Sequence, residues 1–314
     1  MEDLLTDKIK GVLFGQAVGD ALGLGTEFMT KAEVLKYYPQ GLNDYSQIIQ
    51  DFHRSRWRKG DWTDDTDMML CIANAIVQDR NVDVSNIAWK FKGWHDFYPI
   101  GIGRNTNLVL SFGDYVTAPM KAAELVWTLY RRESAGNGGV MRTSIVGLWK
   151  NDIEKYAAEI CRLTHYDPRC VGSCVIISLL VHSLVYHNQV LPLKILIEIG
   201  EKYDSRIKEY IIKANNSNSL DDLALDDATT MGYTLKTMAA ALWCLYHCDS
   251  FKEALLLIAN AGGDADTNAA VTCSLLGAKF GYSNIPEHYV YGLVRKDYLT
   301  EVVNKIINVL CVNE

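Results

Sequence analysis

The sequence predicts an all-α fold, a compact orthogonal helical bundle that forms a single domain over residues 1–314. Three observations lead to this prediction. Apolar residues recur with a period near 3.6 along most of the chain, only 6 prolines occur among 314 residues, and no series of alternating apolar and polar positions indicates strands. At an average helix length of about 11–12 residues, we expect about ten or more helices.

Composition and charge limit the class of protein. Apolar residues make up 49% of the chain and charged residues 22%, as in an ordinary globular protein, and the formal net charge is -7. This acidic balance argues against nucleic acid as a partner, because phosphate backbones are bound by basic surfaces. Eight cysteines are scattered singly and no secretory signal pattern opens the sequence. We therefore expect a cytoplasmic protein with reduced thiols, and a monomer.

The longest apolar run is CVIISLLVHSLVY, residues 174–186. It is shorter than the roughly 20 apolar residues that cross a bilayer, and it contains a histidine. We expect this run to form a core helix and not to contact a membrane.

The first predicted helix carries a glycine at every fourth position, Gly11, Gly15, Gly19 and Gly23. A glycine inside a helix costs about 1 kcal/mol relative to alanine. Four glycines on one stripe must be offset by the close approach of a neighbouring helix, which small residues permit. We therefore predict a buried central helix that delivers Glu27 just past its end.

Two segments interrupt the helical pattern. Residues 41–60 form an irregular segment rich in basic and aromatic residues, and the polar residues 213–222 are predicted to be a surface loop. Neither is a low-complexity linker, so we place no domain boundary in them.

Acidic residues crowd the start of one predicted core helix. In WTDDTD, Thr63 is suited to be an N-cap, and Asp64 and Asp65 are acids of the first turn, which the helix dipole favours. Capping alone would explain such a cluster if it occurred once.

A second cluster of the same form lies far downstream, in AGGDADTNAAV. Asp264, Asp266 and Thr267 there precede another small-residue helix. Hard divalent cations take several carboxylate and neutral oxygen ligands, and two cations about 3.5–4 Å apart form a recognised hydrolytic device. Two acidic helix starts therefore favour a metal site over simple capping.

Other metal patterns fit less well. DADTNAAVTCSL begins like a calcium loop, but Ala269 and Leu275 replace the required glycine and glutamate. DDTDM resembles the acidic motif of helical isoprenoid synthases, but Met68 occupies the last acidic place. A zinc site could be suggested by Cys161, His165, Cys170 and Cys174, yet Cys161 and Cys174 lie in apolar helical patterns.

The glycine-rich segment AGNGGVMRTS, residues 135–144, precedes an apolar run. Glycines before a helix let backbone N–H groups approach a phosphate, although such turns are also common without a ligand. His165 in THYDP could be either a structural or a catalytic histidine.

Taken in order, GVLFGQAVGDALGLGTEF, GDWTDDTDMML, GNGGVMRTS, THYDPRC, GYTLKTMAAALW and AGGDADTNAAV resemble the ADP-ribosylglycohydrolase family, which includes the dinitrogenase reductase-activating glycohydrolase. The motifs run from residue 11 to about residue 281. The resemblance implies an all-α fold with two divalent cations, Mg2+ or Mn2+, in a binuclear cleft. It also implies hydrolysis of the N- or O-glycosidic bond between a protein side chain and C1″ of ADP-ribose, with the ADP-ribosylated protein or ADP-ribose as partner.

The resemblance also implies roles for individual residues. The metal ligands would be Thr63, Asp64, Asp65, Asp264, Asp266 and Thr267. Glu27 matches an acidic ligand or acid–base group, and it would act in catalysis with Asp65 and Asp264. The phosphate-binding loop would be Asn137, Gly138 and Gly139, and the rest of the substrate cleft would include Gly103, His165 and Tyr233.

One position departs from the family pattern. In YPIGIGRNT, many relatives carry an aspartate where this chain has Gly101. We expect arginine-linked ADP-ribose as the first substrate and an O-linked acceptor as the second. The alternatives are a hydrolase of a free ADP-ribose derivative or modified nucleobase, and a non-catalytic ADP-ribose-binding or structural relative. The complete set of acidic ligands favours an enzyme.

Overall fold

The computed structural model describes residues 2–311 and confirms the all-α prediction. This range contains sixteen α-helices and no β-strand, and two isolated backbone bridges join Met29 to Gly263 and Gly136 to Tyr233. The helices are α1 Glu2–Gly23, α2 Lys31–Tyr37, α3 Asp64–Asp79, α4 Val84–Asp96, α5 Arg104–Leu110, α6 Pro119–Leu129, α7 Val140–Thr143, α8 Ile153–Arg162, α9 Pro168–His182, α10 Leu193–Glu201, α11 Ser205–Asn216, α12 Thr234–His247, α13 Phe251–Ala259, α14 Ala265–Phe280, α15 Glu287–Gly292 and α16 Lys296–Cys311.

One of the two predicted irregular segments is confirmed, and the other is shorter than predicted. Residues 41–60 are irregular, as predicted, and contain only the short 3₁₀ turns Tyr45–Gln47 and Arg54–Arg56. The prediction of a loop over residues 213–222 was too long. Helix α11 continues to Asn216 and a 3₁₀ turn begins at Leu220, so only three residues between them lack helical structure.

Helix α1 is buried and packs antiparallel against α14. At each glycine of the stripe, a Cβ atom would overlap a backbone carbonyl oxygen of α14. The carbonyls that face Gly11, Gly15, Gly19 and Gly23 belong, in that order, to Gly277, Cys273, Ala269 and Ala265. The prediction of a buried central helix is confirmed. The close approach sets the turn after α1 beside the beginning of α14.

Helix α9 is longer than its apolar core suggested. It runs without a break into a π-helical turn, Ser183–His187, and the stretch Pro168–His187 is long and apolar enough to cross a membrane by length and composition alone. The run at residues 174–186 is only part of this helix. The prediction of a core helix is supported, since 78% of the 18-residue apolar window within this stretch is buried inside the protein.

The start of α3 is fixed by a clamp from the other end of the chain. Arg295, just before α16, donates to Asp61 Oδ1 and Asp67 Oδ1, both at 2.7 Å, and to the Trp62 carbonyl at 3.0 Å. Its guanidinium lies 4.1 Å from the centre of the Trp62 ring. Two of the four acids in GDWTDDTD, Asp61 and Asp67, are thus ion-pair partners of an arginine. The other two, Asp64 and Asp65, are not paired with it.

Candidate active site

A cavity of about 320 Å³ lies where the turn after α1, the beginnings of α3 and α14 and the loop before α7 meet. This volume is typical of a small-molecule site. Ten of the predicted site residues line it, namely Glu27, Asp64, Asp65, Gly103, Asn137, Gly138, His165, Asp264, Asp266 and Thr267. Residues more than 230 positions apart in the chain therefore share one cavity.

The acids form two groups with metal-ligand spacing. Carboxylate oxygens of Asp20, Asp65 and Asp266 lie within 4.8 Å of one another, and so do those of Glu27, Asp264 and Asp266. Asp266 belongs to both groups. The arrangement therefore offers two adjacent positions for a cation.

Asp20 was not predicted as a site residue from the sequence. Its side chain is fully buried. Its Oδ1 accepts from the Thr63 amide at 3.0 Å and from the Thr63 hydroxyl at 2.9 Å, and its Oδ2 accepts from the Thr66 amide and hydroxyl at 3.0 and 2.6 Å. Burial raises the pKa of Asp20 to about 7 despite these hydrogen bonds. An acid on the buried glycine-rich helix, in GDALG, is the signal that could have identified it.

Burial and mutual repulsion raise the pKa values of the acids. Burial, then the charges of Asp20 and Glu27, raises the pKa of Asp64 to about 8. Burial also raises the pKa of Asp264 to about 6, and the pKa values of Asp65 and Asp266 lie well above the usual range for the same reason. Such a cluster is costly unless a positive charge compensates it.

The donor set fits a divalent cation. Asp65 Oδ2 and Asp266 Oδ1 are buried and have no hydrogen-bond partner among the described residues. Buried polar atoms are almost always satisfied, so an orphaned carboxylate oxygen needs a specific reason. Oxygen ligands of this kind are the ones that Mg2+ and Mn2+ prefer.

Asp264 stands at the N-cap of α14 but makes no capping hydrogen bond. Its Oδ2 instead accepts from Asn137 Nδ2 at 2.6 Å, which joins the acidic cluster to the glycine-rich loop. Thr267 donates to Asp65 Oδ1 at 3.2 Å and so joins α14 to α3. Capping does not explain these side chains.

Glu27 is held in a tight turn by the segment 41–60. Its Oε2 lies 2.6 Å from His53 Nε2, and Arg54 donates to its backbone carbonyl. Phe28, the next residue, has φ +61°, which is uncommon for a bulky side chain, and is 56% exposed. The turn therefore stores strain at the cavity, which the hydrogen bonds around Glu27 offset.

Three predicted site residues lie outside the cavity lining. The Thr63 hydroxyl donates to Asp20, although Thr63 is the N-cap of α3 as expected. Gly139 lies behind the loop, where a Cβ would come within 2.8 Å of Cys161 Sγ. Tyr233 is half-buried beside the cavity, with Arg169 5.6 Å from its ring centre.

Nine further lining residues were not predicted as site residues, although all but Met231 lie in stretches quoted above. They are Phe28, Gly101, Arg104, Asn105, Thr106, Gly136, Met141, Met231 and Gly232. They come from the turn after α1, from α5 and α7 and the loops before them, and from the loop before α12.

Comparison with known proteins agrees with this geometry. The sequence model of the ADP-ribosylglycohydrolase family matches residues 1–314. The ADP-ribosylarginine hydrolase Tri1 of Serratia proteamaculans is 25% identical over an alignment that covers 96% of this chain and 79% of the relative. The ADP-ribosyl-[dinitrogen reductase] glycohydrolase of Rhodospirillum rubrum is 28% identical, with 92% of this chain and 91% of the relative covered.

A solved structure described as an ADP-ribosylglycohydrolase-related protein complex has a TM-score of 0.78 and 24% sequence identity, and covers 98% of this chain and 99% of that one. At this identity the likeness shows the fold. Because the family model spans the entire sequence, this chain belongs to the ADP-ribosylglycohydrolase family and is a glycosidase that acts on ADP-ribosyl linkages.

Proposed function

We propose that the protein removes ADP-ribose from modified protein side chains, with arginine-linked ADP-ribose as its first substrate and an O-linked acceptor as its second. The names of two relatives support this substrate class, since one is an ADP-ribosylarginine hydrolase and the other acts on ADP-ribosyl-dinitrogen reductase. Seven cysteines, at positions 71, 161, 170, 174, 244, 248 and 273, are free thiols in the structure, which supports a reducing, cytoplasmic location.

The main structural support for a metal-dependent reaction is that one buried carboxylate oxygen of Asp65 and one of Asp266 have no hydrogen-bond partner among the described residues. We propose that two divalent cations, Mg2+ or Mn2+, bind in the acidic cluster. The ligands would be drawn from Asp20, Glu27, Asp64, Asp65, Asp264, Asp266 and Thr267. Cations bound there would supply Lewis-acid stabilisation of the charge that develops near the ribose.

The chain's own residues would perform the proton transfers. Glu27, which faces the cavity and is held by His53, would accept a proton from a water molecule as the water oxygen bonds to C1″. The bond from C1″ to the side-chain nitrogen or oxygen breaks, the departing atom takes up a proton from solvent, and Glu27 returns its proton to solvent. Asp65 and Asp264 would orient the reacting groups, as paired carboxylates do in other glycoside hydrolases. The backbone amide of Gly138 would help to hold the pyrophosphate, since the Asn137 amide already donates to the Gly232 carbonyl at 2.9 Å.

A panel of defined linkages tests the proposal. We expect free ADP-ribose to be released from ADP-ribosyl arginine in Mg2+ or Mn2+, with slower release from serine or threonine linkages. Excess chelator should abolish release, and added metal should restore it. Full activity in excess chelator, with no metal found by elemental analysis, would contradict the metal site. Release from an ADP-ribosylated nucleobase alone would replace the proposed substrate class.

Gly101 bears on the choice of acceptor. It has φ +92°, and a Cβ at this position would lie 2.9 Å from Asp64 Oδ1 and 3.1 Å from the Trp57 ring. Any side chain there is strained, so the matched control for Gly101→Asp is Gly101→Ala. If a missing carboxylate limits arginine specificity, we expect Gly101→Asp to exceed Gly101→Ala in kcat/KM on the arginine linkage by about tenfold, with equal values on O-linkages. Equal values on every linkage would show that Gly101 does not set acceptor choice.

A further inference from the structure

Arg142 is a buried cation without a carboxylate partner. Its side chain is fully buried, and none of the ion pairs within residues 2–311 includes it. The guanidinium lies over the Phe91 ring at 4.5 Å and donates to the Ile160 carbonyl at 3.2 Å and to Thr164 Oγ1 at 2.7 Å. Burying a charge in this way is costly, so the contacts that Arg142 makes require an explanation.

The contact to Thr164 fixes the direction of a hydrogen-bond chain. An arginine only donates, so Thr164 Oγ1 accepts from it. The hydroxyl proton must then go elsewhere, and the only other partner of this oxygen among the described residues is His165 Nδ1, at 2.8 Å. Thr164 is fully buried, where an unused hydroxyl proton would be unfavourable. The Thr164 hydroxyl therefore donates, and His165 Nδ1 accepts.

The other ring nitrogen of His165 faces the cavity. His165 Nε2 lies beside the glycine-rich loop, 3.0 Å from where a Cβ of Gly138 would stand, and it makes no hydrogen bond to the described protein residues. Burial, and then the charge of Arg142, lowers the pKa of His165 to about 3. The imidazole is thus neutral at ordinary pH and carries its proton on the cavity side.

We propose that Arg142 and Thr164 are positioning residues that lock His165 as the Nε2–H tautomer, so that it presents one permanent donor to an anionic oxygen of the substrate. This inference rests on the proposed function for the identity of the ligand. It assigns His165 to binding and excludes it as the general acid or base, because the ring neither gains nor gives up a proton during turnover.

The tautomer can be observed in the free protein. In long-range 15N–1H NMR spectra of histidine-labelled protein, with His165→Gln for assignment, we expect a protonated Nε2 and an unprotonated Nδ1 that do not change between pH 5 and 8. Thr164→Val should mix or reverse the tautomers, and Thr164→Ser should retain the original pattern. A protonated Nδ1 in the wild-type protein would overturn the inference, and this result needs no variant to fold.

Measurements of ADP-ribose binding test the role of Thr164 separately from the proposed function. By calorimetry with ADP-ribose, we expect Thr164→Val to weaken binding about 10–100-fold, the usual effect of losing a hydrogen bond to a charged group. Thr164→Ser should bind as the wild type does. In turnover, KM should rise more than kcat falls. If the tautomer is as stated but wild-type protein does not bind ADP-ribose, the proposed function fails and the tautomer assignment stands. Unchanged affinity in Thr164→Val would overturn the positioning role.

Discussion

Asp266→Asn is expected to lower kcat/KM by more than about 100-fold, because Asp266 belongs to both groups of cation-binding oxygens. Loss of an outer partner of a metal ligand typically costs 10–100-fold in metal affinity or activity, and loss of a shared ligand should cost more. Initial rates of ADP-ribose release at several Mn2+ concentrations measure the effect. If the acid merely capped a helix, asparagine would replace it with little loss, since asparagine also caps well.

The same variant should be more stable than the wild type when metal is absent. Because the folded-state pKa of Asp266 is raised, stability is full below the unfolded pKa of about 3.9 and decreases as the pH rises towards the folded-state pKa. Asparagine does not titrate, so its advantage in Tm should grow from pH 5 to pH 8. Added Mn2+ should reverse the order. Equal Tm values at every pH, with and without metal, would contradict this account.

Asp67→Asn is the matched control within the same motif. Asp67 accepts from Arg295 and from Trp62 Nε1 and does not line the cavity. We expect a loss of about 1–2 kcal/mol in the free energy of unfolding, because a charged hydrogen bond is weakened. Metal-dependent activity of the folded variant should stay within about threefold of the wild type, well short of the effect expected at a ligand.

Gly19→Ala is expected to destabilise the protein by about 3 kcal/mol. The new methyl group would overlap the Ala269 carbonyl, and it would come within 2.8 Å of Cys273 Cβ. Backbone cannot move aside as a flexible side chain can, so the cost of overpacking should exceed the roughly 1 kcal/mol that alanine adds in helix propensity. Urea denaturation in excess metal chelator measures the change without a contribution from the cations.

Gly93→Ala provides the control for helix propensity. Gly93 is exposed within α4, and nothing lies within 4 Å of where its Cβ would stand. We expect a gain of about 0.5–1 kcal/mol there. A destabilisation of Gly19→Ala no larger than experimental error would show that α1 and α14 can separate without cost.

The helices were predictable because their signals are local. The spacing of the four glycines anticipated the contact with α14, and Thr63 capped α3 as its residue type suggested. The full extent of α9 was hidden because Pro168 and Arg169 interrupt the apolar composition. In the structure, Asp167 caps the helix by accepting from the Arg169 amide, and Pro168 stands in its first turn, so the helix begins earlier.

The acids of the site could be predicted because they repeat a pattern at two helix starts. Asp20 does not belong to this pattern. Its place on the buried glycine-rich helix was the one available signal, and the sequence gives no indication of the threonines that it contacts. The positions of Gly139 and Tyr233 relative to the cavity depend on the path of the backbone that carries them, which the motifs do not specify. Thr106 and Met231 reach the cavity by tertiary packing alone.

The pairing of α1 with α14 has a consequence for synthesis of the protein. Helix α1 ends at Gly23 and α14 begins at Ala265, so α1 is made long before its partner. At ribosomal rates of about 5–20 residues per second, the intervening chain takes on the order of ten to fifty seconds to emerge. During that time the glycine stripe has nothing to pack against, and a glycine-rich helix is not stable alone. We therefore expect hydrolytic activity to appear only after α14 has left the ribosome, because α1 lacks its partner until then.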